Sequence, residues 1–292
     1  MKLTCHSEYG TLKSVYLRKI ESAFVNDETI SEQWEELNYL AKPDFNSGIK
    51  EYADFQERIE STGADIKYFD HEKSLSMDSI YCRDASIATD FGIILCSMGK
   101  DARTNEPKIA EKVYQQNGEK VLGLIQYPGT LEGGDVAWLD DKTLAVGRTY
   151  RTNDSGIEQL RSLLEPRGVT VIQVDLPHYK GQSDVFHLMS ILSPVDKDLA
   201  VVYSPLMPIP FRELLLDFGF SLVEVPDGEF ESMGCNVLAL SPRNCLMVEG
   251  NPITKTRLKE AGATVHEYYG KEISVKGGGG PTCLTRPILR EI

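Results

Sequence analysis

Five residues of unlike chemistry recur along the chain at a nearly even interval: Asp84, Asp135, His187, Asn236 and Cys283. Each stands at the head of an apolar run. A thiol, an imidazole and carboxylates together are the parts of nucleophilic catalysis, in which a thiolate attacks and an imidazole carries the proton. Taken singly, a cysteine is more often a buried thiol and a histidine a hydrogen-bonded core residue. Taken together, the alternative is a satisfied polar plug, because a buried unpaired polar group costs about 1–3 kcal/mol and must find a partner. Short motifs surround these heads: Tyr81-Cys82-Arg83-Asp84, Leu131-Glu132-Gly133-Gly134-Asp135-Val136, His187-Leu188-Met189-Ser190, and Gly277-Gly278-Gly279-Gly280-Pro281-Thr282-Cys283. Each alone is weak. The glycine run lacks the Lys-Ser/Thr ending of a phosphate loop. In this order and at this spacing they are specific as a set.

The heads are separated by 51, 52, 49 and 47 residues. Each opens the same pattern: two short apolar runs, an amphipathic helical stretch, then one more apolar run. The first unit reads Ser86–Thr89, Ile93–Ser97, helical Glu106–Gln116 and Val121–Gln126. The second reads Val136–Leu139, Thr143–Gly147, Ile157–Leu164 and Val169–Val174. The third reads Leu188–Leu192, Ala200–Tyr203, Phe211–Phe218 and Ser221–Val225, and the fourth Val237–Leu240, Cys245–Val248, Thr254–Ala261 and Thr264–Tyr268. Cys283 opens a fifth with Leu284–Leu289, completed from the other end of the chain by Leu12–Arg18, helical Gly48–Ser61 and Asp65–Phe69. One such unit cannot bury its own apolar face, so a period of this size implies stacked or circular units. Five units, the last built from both termini, predict an α/β five-bladed propeller of ββαβ repeats. Ring closure removes exposed sheet edges and gathers the five heads on the axis. Residues 1–292 read as one domain. Lys19–Asn46 is an insertion with an expected helix Ser31–Leu40, capped by Ser31; it is either a lid or a peripheral helix.

Composition limits the partners. Net charge is −13, with 41% hydrophobic and 26% charged residues. That suits a globular chain with a real core, and it repels nucleic acid in the absence of a basic patch. No run approaches the length of a membrane span, and no secretory leader is seen, so a cytoplasmic chain is expected. The six cysteines show no Cys-x-x-Cys spacing, which points to reduced thiols rather than a metal or redox site.

The motifs resemble those of the guanidino-group modifying enzymes: arginine deiminases, dimethylarginine dimethylaminohydrolases and amidinotransferases. The family pattern is an aromatic-x-x-Asp, a Glu-Gly-Gly-Asp, a His-Leu-x and a Gly-Pro-x-Cys, and all four stand here. The resemblance spans nearly the whole chain and implies the same propeller, the pentein fold. It implies Cys283 as nucleophile and His187 as general acid and base. Asp84 would clamp the substrate guanidinium, with the Tyr81 ring over it. Glu132 would bind a guanidinium nitrogen or orient His187, and Asp135 would support the loop behind. Arg151 would bind a substrate carboxylate. Arg103 is a second candidate for that task, against the commoner solvated surface arginine. Cys283 would attack the guanidinium carbon to form a thiouronium, which water converts to a ureido product such as citrulline. No metal or organic cofactor is implied; the partner is a small guanidino substrate, with a homodimer left open.

Two positions depart from the pattern. Arginine deiminases and amidinotransferases carry Asp two residues after the histidine; this chain has Met189, as the dimethylarginine hydrolases also lack that Asp. Gly278 replaces a basic residue of the deiminase loop, which weakens arginine-like carboxylate recognition. The reading is therefore a dimethylargininase-like hydrolase, with an arginine deiminase or amidinotransferase as alternatives. A non-catalytic propeller for binding or assembly is the alternative outside enzymes.

Overall fold

The computed structural model describes residues 1–292. The chain opens with strands β1 (Leu3–Thr4) and β2 (Thr11–Leu17), helices α1 (Ile20–Ala23), α2 (Asp27–Gln33) and α3 (Phe45–Glu60), and strand β3 (Asp65–Tyr68). Four similar units follow. They are β4 (Ser86–Thr89), β5 (Gly92–Leu95), α4 (Glu106–Gln116), β6 (Val121–Leu124); then β7 (Val136–Trp138), β8 (Thr143–Arg148), α5 (Asp154–Leu164), β9 (Thr170–Asp175). Next come β10 (Leu192–Asp196), β11 (Leu199–Val202), α6 (Ile209–Asp217), β12 (Ser221–Glu224), and, after the short α7 (Asp227–Phe230), β13 (Leu238–Ser241), β14 (Asn244–Val248), α8 (Pro252–Glu260), β15 (Thr264–Tyr268). A five-residue π-turn, Lys271–Val275, precedes the last strand, β16 (Arg286–Glu291).

The fold is mixed α/β with five small sheets. Three are β4-β5-β6, β7-β8-β9 and β10-β11-β12; the fourth is β13-β14-β15 and the fifth β1-β16-β2-β3. In each, the first two strands of the repeat pair antiparallel and the last two parallel, as in Leu192↔Val202 and Leu199↔Ser221. A parallel pair needs a crossover, and each helix supplies one. In α5, Ile157, Leu160 and Leu164 fall on one buried face, and the Asn153 side chain caps the start by accepting from Gly156 N at 2.8 Å. β11 is buried along its whole length, which suits a strand covered on both sides.

β16 packs beside β4, β13 beside β2, and β10 beside β13. A bridge between Ser97 and Leu131 joins the β4 and β7 sheets, and β7 packs on the turn that leads into β10. The apolar core is divided into four clusters because polar residues fill the space between the inner strands. Arg83, Asp84, Glu132, Asp135, His187, Arg286 and Arg290 are all buried there. No helix is long and apolar enough to cross a membrane.

Several sequence boundaries move. The expected helix Ser31–Leu40 is instead α2, starting at Asp27: the Asn26 side chain caps it by accepting from Thr29 N at 2.9 Å. Ser31 lies inside that helix, its hydroxyl donating to Asp27 O at 2.6 Å. α3 begins at Phe45 rather than Gly48, because Asp44 accepts from Ser47 N at 2.7 Å. The expected first strand of the third unit, Leu188–Leu192, starts only at Leu192. Residues 188–190 form a 3₁₀ turn, held by Leu188 N donating to Asp135 Oδ1 at 3.0 Å. β1, an added edge on β16, had no sequence signal because it is two residues long.

Candidate active site

The five heads occupy the turns that enter the inner strands. Neighbouring turns are tied to each other in chain order. Gly133 N donates to Asp84 O at 2.9 Å, Leu188 N to Asp135 Oδ1 at 3.0 Å, and Arg83 N to Cys283 O at 3.2 Å. Ser193 Oγ donates to Cys235 O at 2.7 Å and accepts from Val237 N at 3.1 Å. The Asn236 side chain reaches the last head: Nδ2 donates to Cys283 Sγ at 3.3 Å, and Oδ1 accepts from Thr282 N and Oγ1 at 3.0 and 2.9 Å.

One cavity is lined by Tyr81, Asp84, Arg103, Arg151, His187, Gly278 and Cys283. A wider chamber shares His187, Gly278 and Cys283 and adds Asn38, Leu40, Tyr179, Asp184, Phe186 and Met189. Glu132 and Asp135 line neither; both are fully buried behind His187. His187 Nε2 and Glu132 Oε2 are 2.9 Å apart. Glu132 Oε1 accepts from Gly99 N and Lys100 N at 2.9 and 3.2 Å. Asp135 Oδ2 accepts from Thr149 and Thr152 hydroxyls at 2.7 and 2.6 Å. Close approach requires Gly134: a Cβ there would meet His187 Nδ1 and sit 2.7 Å from Asp84 Oδ1.

These contacts set the charges. Burial disfavours charge on His187, but Asp135, Glu132 and Asp84 more than reverse it and lift its pKa to about 9. Burial likewise opposes ionisation of Glu132, yet the His187 hydrogen bond and Arg151 hold it well below the carboxylate range. The pair at neutral pH is imidazolium and carboxylate. Burial pushes Asp135 up to about 6 in spite of the nearby imidazolium. Burial, then the charge of Asp84, raises the Cys283 thiol above its usual range, while Asn236 and Thr282 pull it down. These surroundings favour the thiol form of Cys283, and a cation beside it would favour the thiolate. Donor atoms of Asp84, Glu132 and His187 lie within 4.8 Å of one another, a metal-like spacing. A protonated imidazole donates rather than ligates.

Tyr81 is buried, its hydroxyl donating to Ile273 O at 3.1 Å, with its ring against the backbone of Gly277 and Gly279. Gly278, at φ 75°, takes the left-handed turn between them. Arg103 is not a solvated surface residue. It is 4% exposed, Nη1 donates to Asp84 Oδ2 at 2.6 Å, Nε and Nη2 reach Glu106 at 2.7 and 2.8 Å, and Nη2 reaches Tyr81 O at 2.8 Å. Every edge of that guanidinium is committed. Arg151 is held loosely: its Nη1 approaches both Glu132 oxygens only at 3.4 Å. Asn236 was visible as the fourth head, but its hydrogen bond to the thiol was not foreseen.

Residues 20–290 match the family described as N,N dimethylarginine dimethylhydrolase, eukaryotic. The chain is 26% identical over 291 residues to the Bacillus subtilis protein YkgA, covering 99% of this chain and 96% of that one. It is 25% identical over 249 residues to the N(G),N(G)-dimethylarginine dimethylaminohydrolase of Pseudomonas aeruginosa, covering 85% and 91%. A Mycobacterium avium arginine deiminase is 28% identical over 246 residues, but the chain spans only 60% of its length. Among solved structures, the Pseudomonas aeruginosa dimethylarginine dimethylaminohydrolase complexed with citrulline superposes with a TM-score of 0.75 at 22% identity, covering 94% of this chain and 98% of that one. The N-terminal domain of ArgZ, a cyanobacterial arginine dihydrolase, gives 0.78 at 17%, covering 95% and 98%.

Proposed function

Because the chain belongs to the N,N dimethylarginine dimethylhydrolase family, we propose that it hydrolyses an N-methylated arginine or a close guanidino analogue to a ureido product and an amine. The observation that carries this reading is the meeting of Cys283, His187 and Asp84 at one cavity, with Glu132 Oε2 2.9 Å from Nε2 of the imidazole.

The substrate guanidinium lies against Asp84, whose buried Oδ1 has no protein partner, and under the Tyr81 ring. Its charge offsets burial, and the Cys283 proton passes to solvent as the thiolate forms. The thiolate adds to the guanidinium carbon. His187, as imidazolium, protonates the departing nitrogen, the C–N bond breaks, and a thiouronium on Cys283 remains. Neutral His187 then takes a proton from water, the oxygen adds to the same carbon, and the C–S bond breaks to release the ureido product. Glu132 is engaged by His187, Gly99 and Lys100, with Arg151 Nη1 at 3.4 Å from both its oxygens, so it orients the imidazole rather than the substrate. Asp135 fixes the turn that carries His187. Arg151, with Nε and Nη2 free of protein acceptors, takes the substrate carboxylate; Arg103 serves Asp84 instead.

The five sheets close as a pentein ring in a single catalytic domain. The contacts between successive sheets and the hydrogen bonds between successive heads support that closure. The 19–46 segment is a lid. In support, Asn38 and Leu40 form part of the chamber wall, and Lys100 Nζ and Lys276 Nζ latch it at Leu37 O and Lys42 O, at 2.8 and 2.9 Å.

The test is turnover of dimethylarginine, monomethylarginine, arginine and agmatine, scored for both products. Methylamines and citrulline are expected. Ammonia from arginine alone replaces this reading with a deiminase, and transfer to an amine acceptor with an amidinotransferase. No turnover, together with no labelling of Cys283 by a chloroacetamidine, leaves a binding protein.

A further inference from the structure

Arg83 lines the reaction chamber on one side and a second, small cavity on the other. Arg83 and Arg286 line that second cavity, and Arg290 lies close behind them and Glu8. Arg83, Arg286 and Arg290 are 1%, 5% and 1% exposed. A single carboxylate accompanies them: Arg83 Nη2 donates to both oxygens of Glu8, at 2.8 and 2.9 Å. No ion pair reaches Arg286 or Arg290. Arg286 Nη2 donates to Arg83 O at 2.8 Å, and Arg290 Nη1 to Gly10 O and Ala239 O at 2.6 and 2.8 Å. The Nε and Nη1 atoms of Arg83, the Nε of Arg286, and the Nε and Nη2 of Arg290 are buried with no acceptor.

A guanidinium stays protonated in a protein, so three cations share one anion here. Their charges oppose one another. Burial and the neighbouring guanidinium of Arg83 hold Arg286 below its usual range, and burial with Arg83 and Arg286 brings Arg290 down to about 10. Burial opposes ionisation of Glu8, yet the three arginines keep its pKa low. An uncompensated buried ion is worth several kcal/mol of destabilisation. Water fills missing hydrogen bonds but not missing charge.

We propose that the cavity lined by Arg83, Arg286, Glu8, Ser7, Cys5 and Trp138 binds one small monovalent inorganic anion of the chloride class. The space accommodates about one water-sized particle, which excludes sulfate and phosphate. Ile87, Ala88 and Val136 supply an apolar wall, which suits a weakly hydrated halide better than a carboxylate. Arg83 and Arg286 line the cavity and supply its positive charge, and Arg290 adds charge from behind.

Two measurements on the full chain test this. Thermal unfolding is followed in sodium gluconate exchanged for chloride, bromide or sulfate at fixed ionic strength. Chloride and bromide are expected to raise Tm saturably, by about 5 °C at roughly a hundred times the dissociation constant, and sulfate only in the linear, unsaturated manner of an excluded salt. Crystals grown from bromide are expected to show an anomalous peak in hydrogen-bond contact with Arg83 and Arg286. Arg286→Met is expected to abolish the saturable response; should that variant not fold, the wild-type bromide crystal decides. A Tm that rises alike in all salts, or a bromide peak only at the surface with water in the cavity, overturns the proposal.

Discussion

Oδ2 of Asp84 accepts a hydrogen bond from Nη1 of Arg103 at 2.6 Å, and Oδ1 of the same carboxylate is buried without a partner. One oxygen is thus anchored, and in the proposed reading the other meets the substrate guanidinium. The anchor is rigid because Glu106 and Tyr81 O grip the remaining edges of Arg103. Lysine offers a point charge and cannot hold all three partners at once. Arg103→Lys is therefore expected to lower kcat/KM at least ~10-fold, mainly through KM, and to lower stability by about 2–4 kcal/mol, since partners of a buried pair lose their match. Steady-state kinetics and urea unfolding measure both. Unchanged KM would mean that Arg103 does not hold Asp84.

The imidazole of His187 titrates at about 9 in the fold, above its ordinary value. A raised base stabilises the fold fully below the unfolded pKa near 6.5, and that stabilisation disappears as pH climbs through about 9. Glu132→Gln removes a carboxylate that holds the proton on. The midpoint of His187, followed by NMR, is expected to fall by one or more pH units, and the alkaline loss of stability to begin earlier. An unmoved midpoint sinks the assignment.

How far the site was legible in the sequence follows from what each residue depends on. Cys283, His187, Asp84 and Asp135 were visible because the repeat fixes one position per unit, whatever the tertiary packing. Arg103 read either as a carboxylate binder or as a solvated surface residue, because an arginine alone does not reveal its partners. Its burial depends on Glu106 three residues on and on Asp84 across the turn, partners that a strand-and-helix pattern does not reveal. The helix start at Asp27 was missed for a local reason: Asn26 and Ser31 are both good caps, and only the packing of Ile30 decides between them. The turn at residues 188–190 escaped because its apolar residues imitate a strand, while the bond from Leu188 N to Asp135 overrides that preference. The arginine cluster around Glu8 had no sequence signal, because Glu8, Arg83 and the Arg286–Arg290 strand lie far apart in the chain.

Asn236 Nδ2 is the donor to the Cys283 sulfur, at 3.3 Å. A hydrogen bond to a charged group is worth about 1.5–3 kcal/mol, and this one favours the thiolate. Asn236→Ala is expected to raise the thiol pKa and reduce kcat ~10- to 100-fold. Thiolate absorbance against pH provides the direct readout. A thiol that titrates as before would remove Asn236 from the mechanism.

Arg151 is the loosely paired cation of the pocket, its contacts to Glu132 stretched to 3.4 Å. In the proposed reading it binds the substrate carboxylate. Arg151→Met should then raise KM for methylated arginines by ~10- to 100-fold, the worth of a charge-assisted pair. Agmatine has a guanidine but no carboxylate, so any turnover of it should keep its KM. An equal loss on both compounds would instead assign Arg151 to the support of Glu132.

Met189 places an apolar side chain where arginine deiminases and amidinotransferases carry an aspartate. It is 3% exposed, lies on the chamber wall and packs with Phe186 and Cys235. In the proposed reading a thioether there would accept N-methyl groups, whereas a carboxylate would need a bare N–H to satisfy it. Met189→Asp is expected to increase the ratio of kcat/KM for arginine over dimethylarginine by ~10- to 100-fold, read as ammonia against dimethylamine released. The variant should also be less stable, since the new carboxylate is buried among apolar side chains until substrate arrives. Its desolvation raises its pKa, so the gain for arginine should grow as pH rises and the group ionises. A preference that stays fixed at every pH, in a variant that still binds both substrates, would move the choice between methylated and unmethylated guanidines to another part of the wall.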